Sequence, residues 1–195
     1  MINNETIYYI LGGIIMPFAI LLPAAIVFII VIWYVSTMNS LKRAEVKIDE
    51  ALSSIDVALV KRYDVLTKML DICKNYARYE KETILETIKL RSGMSMEDRN
   101  AVSSSLDQAN NFINAVAENY PELRSSENFK QLQVSVMEVE EHLQAARRLY
   151  NSNVSHLNQR IISFPSSIVA GSLGITSRSF FEADDSKKKD VTMSF

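Results

Sequence analysis

The two histidines of the chain are the first candidates for metal or acid–base chemistry. His142 and His156 stand fourteen residues apart in a segment with helical periodicity, which separates them by about 21 Å along a helix axis. Two side chains at that distance cannot ligate one metal ion. Glu138 lies four residues before His142 and adds one more ligand, but a zinc site needs three or four ligands. We therefore predict surface pairing of Glu138 with His142 and no metal site.

A series of aspartates forms the second candidate group. They recur every seven or eight residues, at Asp49, Asp56, Asp64 and Asp71. Basic residues alternate with them, at Lys61, Arg62, Lys68 and Lys74. Convergent carboxylates in a pocket would supply acid–base catalysis or a cation groove. Because the same spacing is typical of a solvated helix face with i,i+3 and i,i+4 ion pairs, we favour that interpretation.

A polar cluster near residue 150 combines two arginines, a tyrosine and an asparagine: Arg147, Arg148, Tyr150 and Asn151. Such residues bind a phosphate or an anionic headgroup in some proteins, and brace the contact between helices in others. Tyr150 is in register with the apolar positions of its segment, which favours bracing. We take the four residues as candidates for interaction or bracing.

Other catalytic signatures are missing from the sequence. Cys73 is the single cysteine and lies on an apolar stripe, which favours a core residue over a nucleophile. The chain contains no glycine-rich phosphate loop, no GxSxG and no HExxH. We therefore expect no enzymatic activity, no catalytic residue and no cofactor. The net charge of −2 gives no global attraction to nucleic acid.

An uncharged run near the start of the chain predicts a membrane anchor, which precedes all the candidate residues above in the sequence. Residues 6–41 carry no charged side chain over thirty-six positions. Because about 20 apolar residues of helix cross a bilayer core, we predict a membrane anchor over residues 1–38 with its span at about residues 18–36. The run is too long for a cleaved signal peptide, and no basic residue precedes it.

Two prolines, Pro17 and Pro23, interrupt this run, and we expect each to kink the helix. Residues 6–16 either lie in the membrane interface or extend a bent span. The predicted anchor residues are Pro17, Phe18, Pro23, Trp33 and Tyr34. Lys42, Arg43 and Lys47 follow the run, so the positive-inside rule predicts a single-pass protein whose C-terminal part is cytoplasmic.

The rest of the chain has helical periodicity. The first helix has no Gly or Pro from residue 35 to residue 92, and we predict that it runs to about Arg91. Arg62 falls on its apolar stripe, where its stem can pack and its head can either snorkel or meet a carboxylate. Ser95 with an acidic first turn predicts a second helix that ends near Asn119.

A third helix is predicted from Ser125 or Ser126 to the Phe164–Pro165 pair, because apolar residues step by three and four throughout. A short fourth helix or turn follows in residues 166–175, and we expect Phe180 and Phe181 to reach the core. The fold class is therefore all-α: an N-terminal transmembrane helix, then an antiparallel up-down helical bundle of three long helices plus a short C-terminal helix over residues 39–182. The charged tail, residues 183–195, is predicted to be mobile.

Several motifs in one order identify a resemblance. SSIDVALVKRYDVL is followed by NYPEL, then by ENF with a leucine three residues on, then by AARRLYN, FP and a glycine-bearing stretch before FFE. This order resembles the LemA family over about residues 39–182. The chain departs from the common family pattern at Leu52, where a Trp is usual, near Thr67, where a Pro is usual, and at Glu140–Glu141, where Glu-Asn is typical.

The resemblance implies a membrane anchor followed by a helical bundle, placed in the bacterial inner membrane, and it brings no active site. It suggests self-assembly or scaffolding of partners. We therefore expect a non-enzymatic helical scaffold that contacts the lipid bilayer, forms a homo-oligomer and binds protein partners that the sequence does not identify. The alternative hypothesis is a membrane-bound signalling or quality-control adaptor that holds one specific protein.

Overall fold

A computed structural model describes residues 4–76 and 93–181, with side chains described from residue 21 onward within those ranges. Every regular element in these ranges is an α-helix, which confirms the all-α class. The helices in chain order are α1 (Asn4–Cys73), α2 (Met96–Asn119), α3 (Pro121–Ser125), α4 (Glu127–Ile162) and α5 (Ser166–Ser172). The mobile tail predicted from residue 183 lies outside the described residues.

Helix α1 differs from the prediction at its end. It continues as one helix past Pro17 and Pro23, so neither proline ends it. The predicted extension to Arg91 is wrong, because α1 ends at Cys73 and a turn follows at residues 74–76. There the amides of Asn75 and Tyr76 donate to carbonyls three residues back, which tightens the backbone beyond an α-helix. The remaining residues of the predicted helix up to Arg91 lie outside the described residues.

Helix α2 begins where the sequence predicts it. The hydroxyl of Ser95 accepts a hydrogen bond from the Asp98 amide at 3.0 Å, and the Asp98 carboxylate accepts one from the Ser95 amide at 3.1 Å. This reciprocal capping box satisfies two backbone donors that an isolated helix would leave unpaired. Tyr120 ends α2, and Pro121 starts the short α3, as its fixed φ allows at a first helical position.

Helix α4 carries the predicted apolar seam. The buried positions run from Phe129 to Leu157 and step by three and four over most of that length. The Ser126 hydroxyl accepts a hydrogen bond from the Phe129 amide at 3.3 Å near its start. The predicted short C-terminal helix is α5, and a cis peptide bond joins Phe164 to Pro165 before it. Phe181 is buried as expected, but Phe180 is 46% exposed, so its predicted place in the core is wrong.

The chain divides into two compact units. The smaller unit contains Met1–Ala44 and Gln159–Thr176, and the larger unit contains Glu45–Asn158 and Ser177–Phe195. The core of the larger unit includes Ile55, Leu59, Leu106 and Leu143, each with no exposed surface. Burial of such aliphatic side chains is worth about 1.5–3 kcal/mol each and dominates the stability of helical domains.

Side-chain contacts within the larger unit give the directions of its helices. Along α1, Asp56 and then Arg62 contact Arg99 and then Asp107 of α2. Because the numbers rise together, α1 and α2 run in the same direction. Helix α4 runs opposite to α1, since Asn153 donates to the Lys47 carbonyl at 3.1 Å while Arg62 pairs with Glu140.

Consecutive helices of the predicted up-down bundle alternate in direction, but residues 77–92, between α1 and α2, lie outside the described residues. The up-down order therefore stays a prediction. The ring centroids of Tyr76 and Tyr120 are 5.9 Å apart, so the turn after α1 lies beside the end of α2, in agreement with the parallel direction.

Candidate functional site

A buried arginine lies where α1, α2 and α4 meet. The side chain of Arg62 is 3% exposed, and its Nη2 lies 2.5 Å from an Asp107 carboxylate oxygen. The same Nη2 forms an ion pair with Glu140, and Nη1 donates to the Ser103 carbonyl at 3.4 Å. A guanidinium removed from water needs such partners because its desolvation costs several kcal/mol. The predicted encounter of Arg62 with a carboxylate is therefore confirmed, with two carboxylates from two other helices.

A second arginine pair links α1 to α2. Arg99 is 5% exposed, and its Nε and Nη2 donate to the two oxygens of Asp56 at 2.6 and 2.7 Å. This two-pronged geometry matches the planar guanidinium to the carboxylate. The hydrogen bonds that Arg99 donates to Asp56 raise the pKa of Arg99. Arg99 also donates to the Met94 carbonyl, which ties the start of α2 to the same pair.

The predicted solvated face of α1 is therefore only partly correct. Asp49, Asp64 and Asp71 are exposed, and Asp71 lies 3.8 Å from Lys74 in an i,i+3 pair. Asp56 belongs instead to the interior contact with Arg99. The periodic spacing did not distinguish it from its neighbours, because the partner comes from another helix.

Arg147 connects the arginine network to the end of the described chain. It donates a hydrogen bond to the Ser103 hydroxyl, and its guanidinium carbon lies 4.6 Å from the centroid of the Phe181 ring. A cation over an aromatic face is held by the ring quadrupole. Burial, followed by the nearby positive charge of Arg62, lowers the pKa of Arg147.

Two other members of the candidate cluster hold residues 177–181, which we call the strap. The Tyr150 hydroxyl donates to the Ser179 carbonyl at 2.9 Å, and burial raises the pKa of this phenol. The Asn151 amide donates to the Phe181 carbonyl at 3.0 Å and accepts from the Phe181 amide at 2.8 Å. One side chain thus satisfies both backbone groups of Phe181, much as a neighbouring strand would.

The fourth member of the cluster is separate from the others, because Arg148 is exposed on α4. Arg147, Tyr150 and Asn151 contact α2 and the strap, so the structure brings these three together.

A shallow groove of about 250 Å³ lies elsewhere in the larger unit, between α1 and α4. Its walls include Val57 and Lys61 from α1 and His142 from α4, with Ser53, Ala58 and Ala146 between them. His142 and His156 are both exposed, and the described ranges contain no group of three or more His, Cys, Asp or Glu that can hold a metal ion. Cys73 is fully buried, and desolvation raises the pKa of its thiol to about 11.

Of the described anchor residues, Pro23 and Trp33 are exposed and Tyr34 is half-buried. From Leu21 onward α1 is apolar, with a mean hydropathy of 2.3 over its best eighteen-residue window, of which 6% is buried. It is the one helix in the described ranges long and apolar enough to cross a membrane. Pro23 and Trp33 lie on this stretch, and the Tyr34 hydroxyl is hydrogen-bonded to that of Ser172 at 2.9 Å. The side chains of Pro17 and Phe18 lie outside the described residues.

The sequence of this chain is matched by the family model described as the LemA family, over residues 51–195. This chain belongs to the LemA family. Its similarity to a curated relative, Protein LemA of Metamycoplasma hominis, is 30% identity over 166 residues, which cover 83% of this chain and 76% of the relative. The LemA resemblance stated from the motifs is thereby confirmed.

Within the LemA-family region, sequence reasoning missed several residues of the network: Asp56 as the partner of Arg99, Arg99 itself, Ser103, Asp107 and Glu140. One signal was available for Arg99, which stands three residues before the apolar stripe of α2 and in register with it. A basic residue in register with an apolar stripe indicates a buried or snorkelling cation. For the four other residues, the sequence does not show which helix lies beside them, and that neighbour decides whether each faces the interior or the solvent.

Proposed function

We propose that this LemA-family chain is a non-enzymatic, membrane-anchored helical scaffold that assembles with copies of itself and organises partner proteins or the membrane. The observation that carries the proposal is the exposed apolar part of α1, which is 6% buried over its most hydropathic window. An apolar surface of this length is unfavourable in water, so we expect either a bilayer or another protein to cover it. A bilayer satisfies this need, because helical backbone groups are already paired within the helix.

The interior polar groups support a structural role over a catalytic one. Arg62 is directed at Asp107 and Glu140, and Arg99 at both oxygens of Asp56. Buried polar pairs of this kind select one helix arrangement over others in some proteins, at a cost in stability. We therefore assign the network to defining how α1, α2 and α4 pack.

Self-assembly is supported by apolar side chains left on the surface of the larger unit. Val57 on α1 is 53% exposed, and Met137 and Leu149 on α4 are 60% and 54% exposed. Contacts between long helices bury residues of this type at spacings of three and four. We propose that these faces meet in an oligomer of the full chain.

The mass of the full chain in mild detergent or lipid nanodiscs tests this proposal. We expect particles several times the protomer mass, and we expect Leu149→Glu to shift them toward monomers. Gln108→Glu is the matched control, because Gln108 is an exposed polar residue of α2, outside the proposed faces of α1 and α4, and the change adds the same charge. A strictly monomeric wild-type chain at all concentrations would overturn the scaffold assembly.

The alternative is a membrane-bound signalling or quality-control adaptor that holds one protein partner, and the groove between α1 and α4 favours it. Val57, Ala58 and Val139 are apolar residues in the lining of the groove, and Lys61 and His142 add polar groups to that lining. Crosslinking from a photoreactive residue at Val57 separates the two functions. One dominant foreign partner supports the adaptor, and crosslinks between copies of this chain support the scaffold.

A further inference from the structure

The turn between α4 and α5 exposes large apolar side chains in a short space. Ile162 is 80% exposed, Phe164 82% and Ile168 61%. No charged residue occurs between Arg160 and Arg178. Scattered apolar residues are ordinary on protein surfaces, but a contiguous group of this size marks an interaction site.

Two hydrogen bonds within the smaller unit show where along α1 this turn lies. Arg160 donates a hydrogen bond to the Ser40 hydroxyl, just beyond the predicted span. Ser172 is hydrogen-bonded to Tyr34 at 2.9 Å, inside the predicted span. Ser40 and Tyr34 are separated by about 9 Å along the axis of α1. Because the turn lies between Arg160 and Ser172 in the sequence, it follows α1 from Ser40 toward its apolar part.

The packing of the same unit holds the turn at that position. Leu41 on α1 and Val169 on α5 have no exposed surface, and Ala170 is 1% exposed. The Ser166 hydroxyl donates to the Arg160 carbonyl at 2.7 Å and closes the turn on itself. The turn is therefore a rigid projection, with Ile162, Phe164 and Ile168 on its outside.

We propose that this turn is a second membrane contact, in which Phe164, with Ile162 and Ile168, enters the boundary between headgroups and acyl chains beside the transmembrane helix. The occupant of the patch is the lipid bilayer, because the apolar part of α1 beside it leads into the same bilayer. Basic residues lie close to the turn: Arg160 precedes it in the sequence, and Lys42 and Arg43 follow Ser40 on α1. Cations at this position contact anionic lipid headgroups. The inference rests on the proposed membrane anchoring of α1.

Tryptophan fluorescence of the full chain in phosphatidylcholine–phosphatidylglycerol vesicles tests this contact. Trp33 is the only tryptophan, so Trp33→Phe provides a silent background. On that background we place Phe164→Trp, and compare vesicles with and without acyl chains brominated near the headgroup. We expect blue-shifted emission and a several-fold larger loss of fluorescence with brominated lipid than the control shows.

The control is Gln108→Trp on the same background. Gln108 is exposed on α2 in the larger unit and belongs to neither of the faces of α1 and α4 proposed to assemble, so we expect solvent-like emission and little quenching. Ile162→Trp is a second probe, used if Phe164→Trp alters the helical circular dichroism. Both probes replace exposed side chains, which leaves the core intact.

Each outcome assigns a cause. Quenching of Trp33 in the unmodified chain together with quenching at residue 164 supports the second contact. Quenching of Trp33 with solvent-like emission at residue 164 overturns the contact and leaves the anchor standing. Blue-shifted emission at residue 164 without lipid quenching also overturns it, because protein then covers the patch. No quenching of Trp33 overturns the membrane anchoring itself.

Discussion

Arg62 is the residue on which we expect the packing of α1, α2 and α4 to depend. It is 3% exposed, while its partners Asp107 and Glu140 keep 21% and 31% of their side-chain surface. Removal of the cation leaves two carboxylates close together with partial access to water. The cost is therefore below that of stranding two fully buried charges.

We expect Arg62→Met to lower the free energy of unfolding by about 2–4 kcal/mol, because it removes one partner from a largely buried ion pair. Urea unfolding in mild detergent, followed by circular dichroism, measures this loss. Lys68→Met is the control: Lys68 is exposed on the same helix, and we expect a change within about 0.5 kcal/mol. Equal stability of the two variants would contradict the assigned role of Arg62.

Cys73 makes a second prediction at the scale of single residues. Burial raises the pKa of its thiol from 9.0 to about 11, so the unfolded chain releases this proton at lower pH than the folded chain. The stabilisation from the neutral thiol is complete below pH 9 and is lost as the pH rises toward 11.

We expect the unfolding free energy of the natural chain to fall more steeply over this pH range than that of Cys73→Ala. The extra loss is about 2–3 kcal/mol, the equivalent of two pKa units. Denaturant unfolding at pH values below and above this range measures it, and Tyr150 contributes equally to both proteins. Parallel pH profiles for the two proteins would show that the thiol is not desolvated.

At the scale of elements, the strap is held to α4 by side chains and not by secondary structure. Asn151 satisfies the amide and the carbonyl of Phe181, and Tyr150 reaches the Ser179 carbonyl. Asn158 adds a similar pair to the backbone of Arg178, at 2.9 Å in both directions. In a segment without strand or helix, side chains of α4 thus pair the backbone groups of Arg178 and Phe181 and the carbonyl of Ser179.

We expect Asn151→Ala to speed hydrogen exchange of the Phe181 amide by roughly 5- to 150-fold, because the lost bonds are worth about 1–3 kcal/mol. Mass spectrometry of the exchanged full chain measures this. Asn153→Ala is the matched control, since Asn153 donates to the Lys47 carbonyl and touches no strap residue in the described contacts. Unchanged protection of Phe181 in Asn151→Ala would show that the Asn151 bonds do not hold the strap, and that the contacts of Arg147, Tyr150 and Asn158 suffice.

At the scale of the whole molecule, the basic residues beside the apolar run predict how the proposed membrane anchor is oriented. Lys42, Arg43 and Lys47 follow the apolar run, and no Lys or Arg precedes it. We propose on this basis that the C-terminal part faces the cytoplasm of a bacterial cell.

A cysteine-labelling experiment checks this orientation. On a Cys73→Ala background, which leaves no other thiol, Ser186→Cys should react with an impermeant maleimide only after the inner membrane is permeabilised. Asn3→Cys is the control on the opposite side of the span and should react from the periplasmic side without permeabilisation. Labelling of Ser186→Cys in intact cells or spheroplasts would reverse the proposed orientation.

Much of this architecture follows from local patterns in the sequence. Ser95 with Asp98 predicts the start of α2, and the apolar steps from Phe129 to Leu157 predict the buried face of α4. These features are local, because capping and periodicity involve residues a few positions apart. The end of α1 at Cys73 does not follow from such patterns, since no Gly or Pro marks it.

By itself, the sequence determined the helical class, the uncharged run of residues 6–41, the family motifs and the apolar stripe on which Arg62 falls. Only the tertiary structure decided that Asp107 and Glu140 neutralise Arg62, that Asp56 meets Arg99, and that α1 and α2 run in the same direction. The physical reason is that periodicity specifies which face of its helix a residue occupies. The partner it meets depends on which helices lie beside that face, and residues about forty or more positions away supply those contacts.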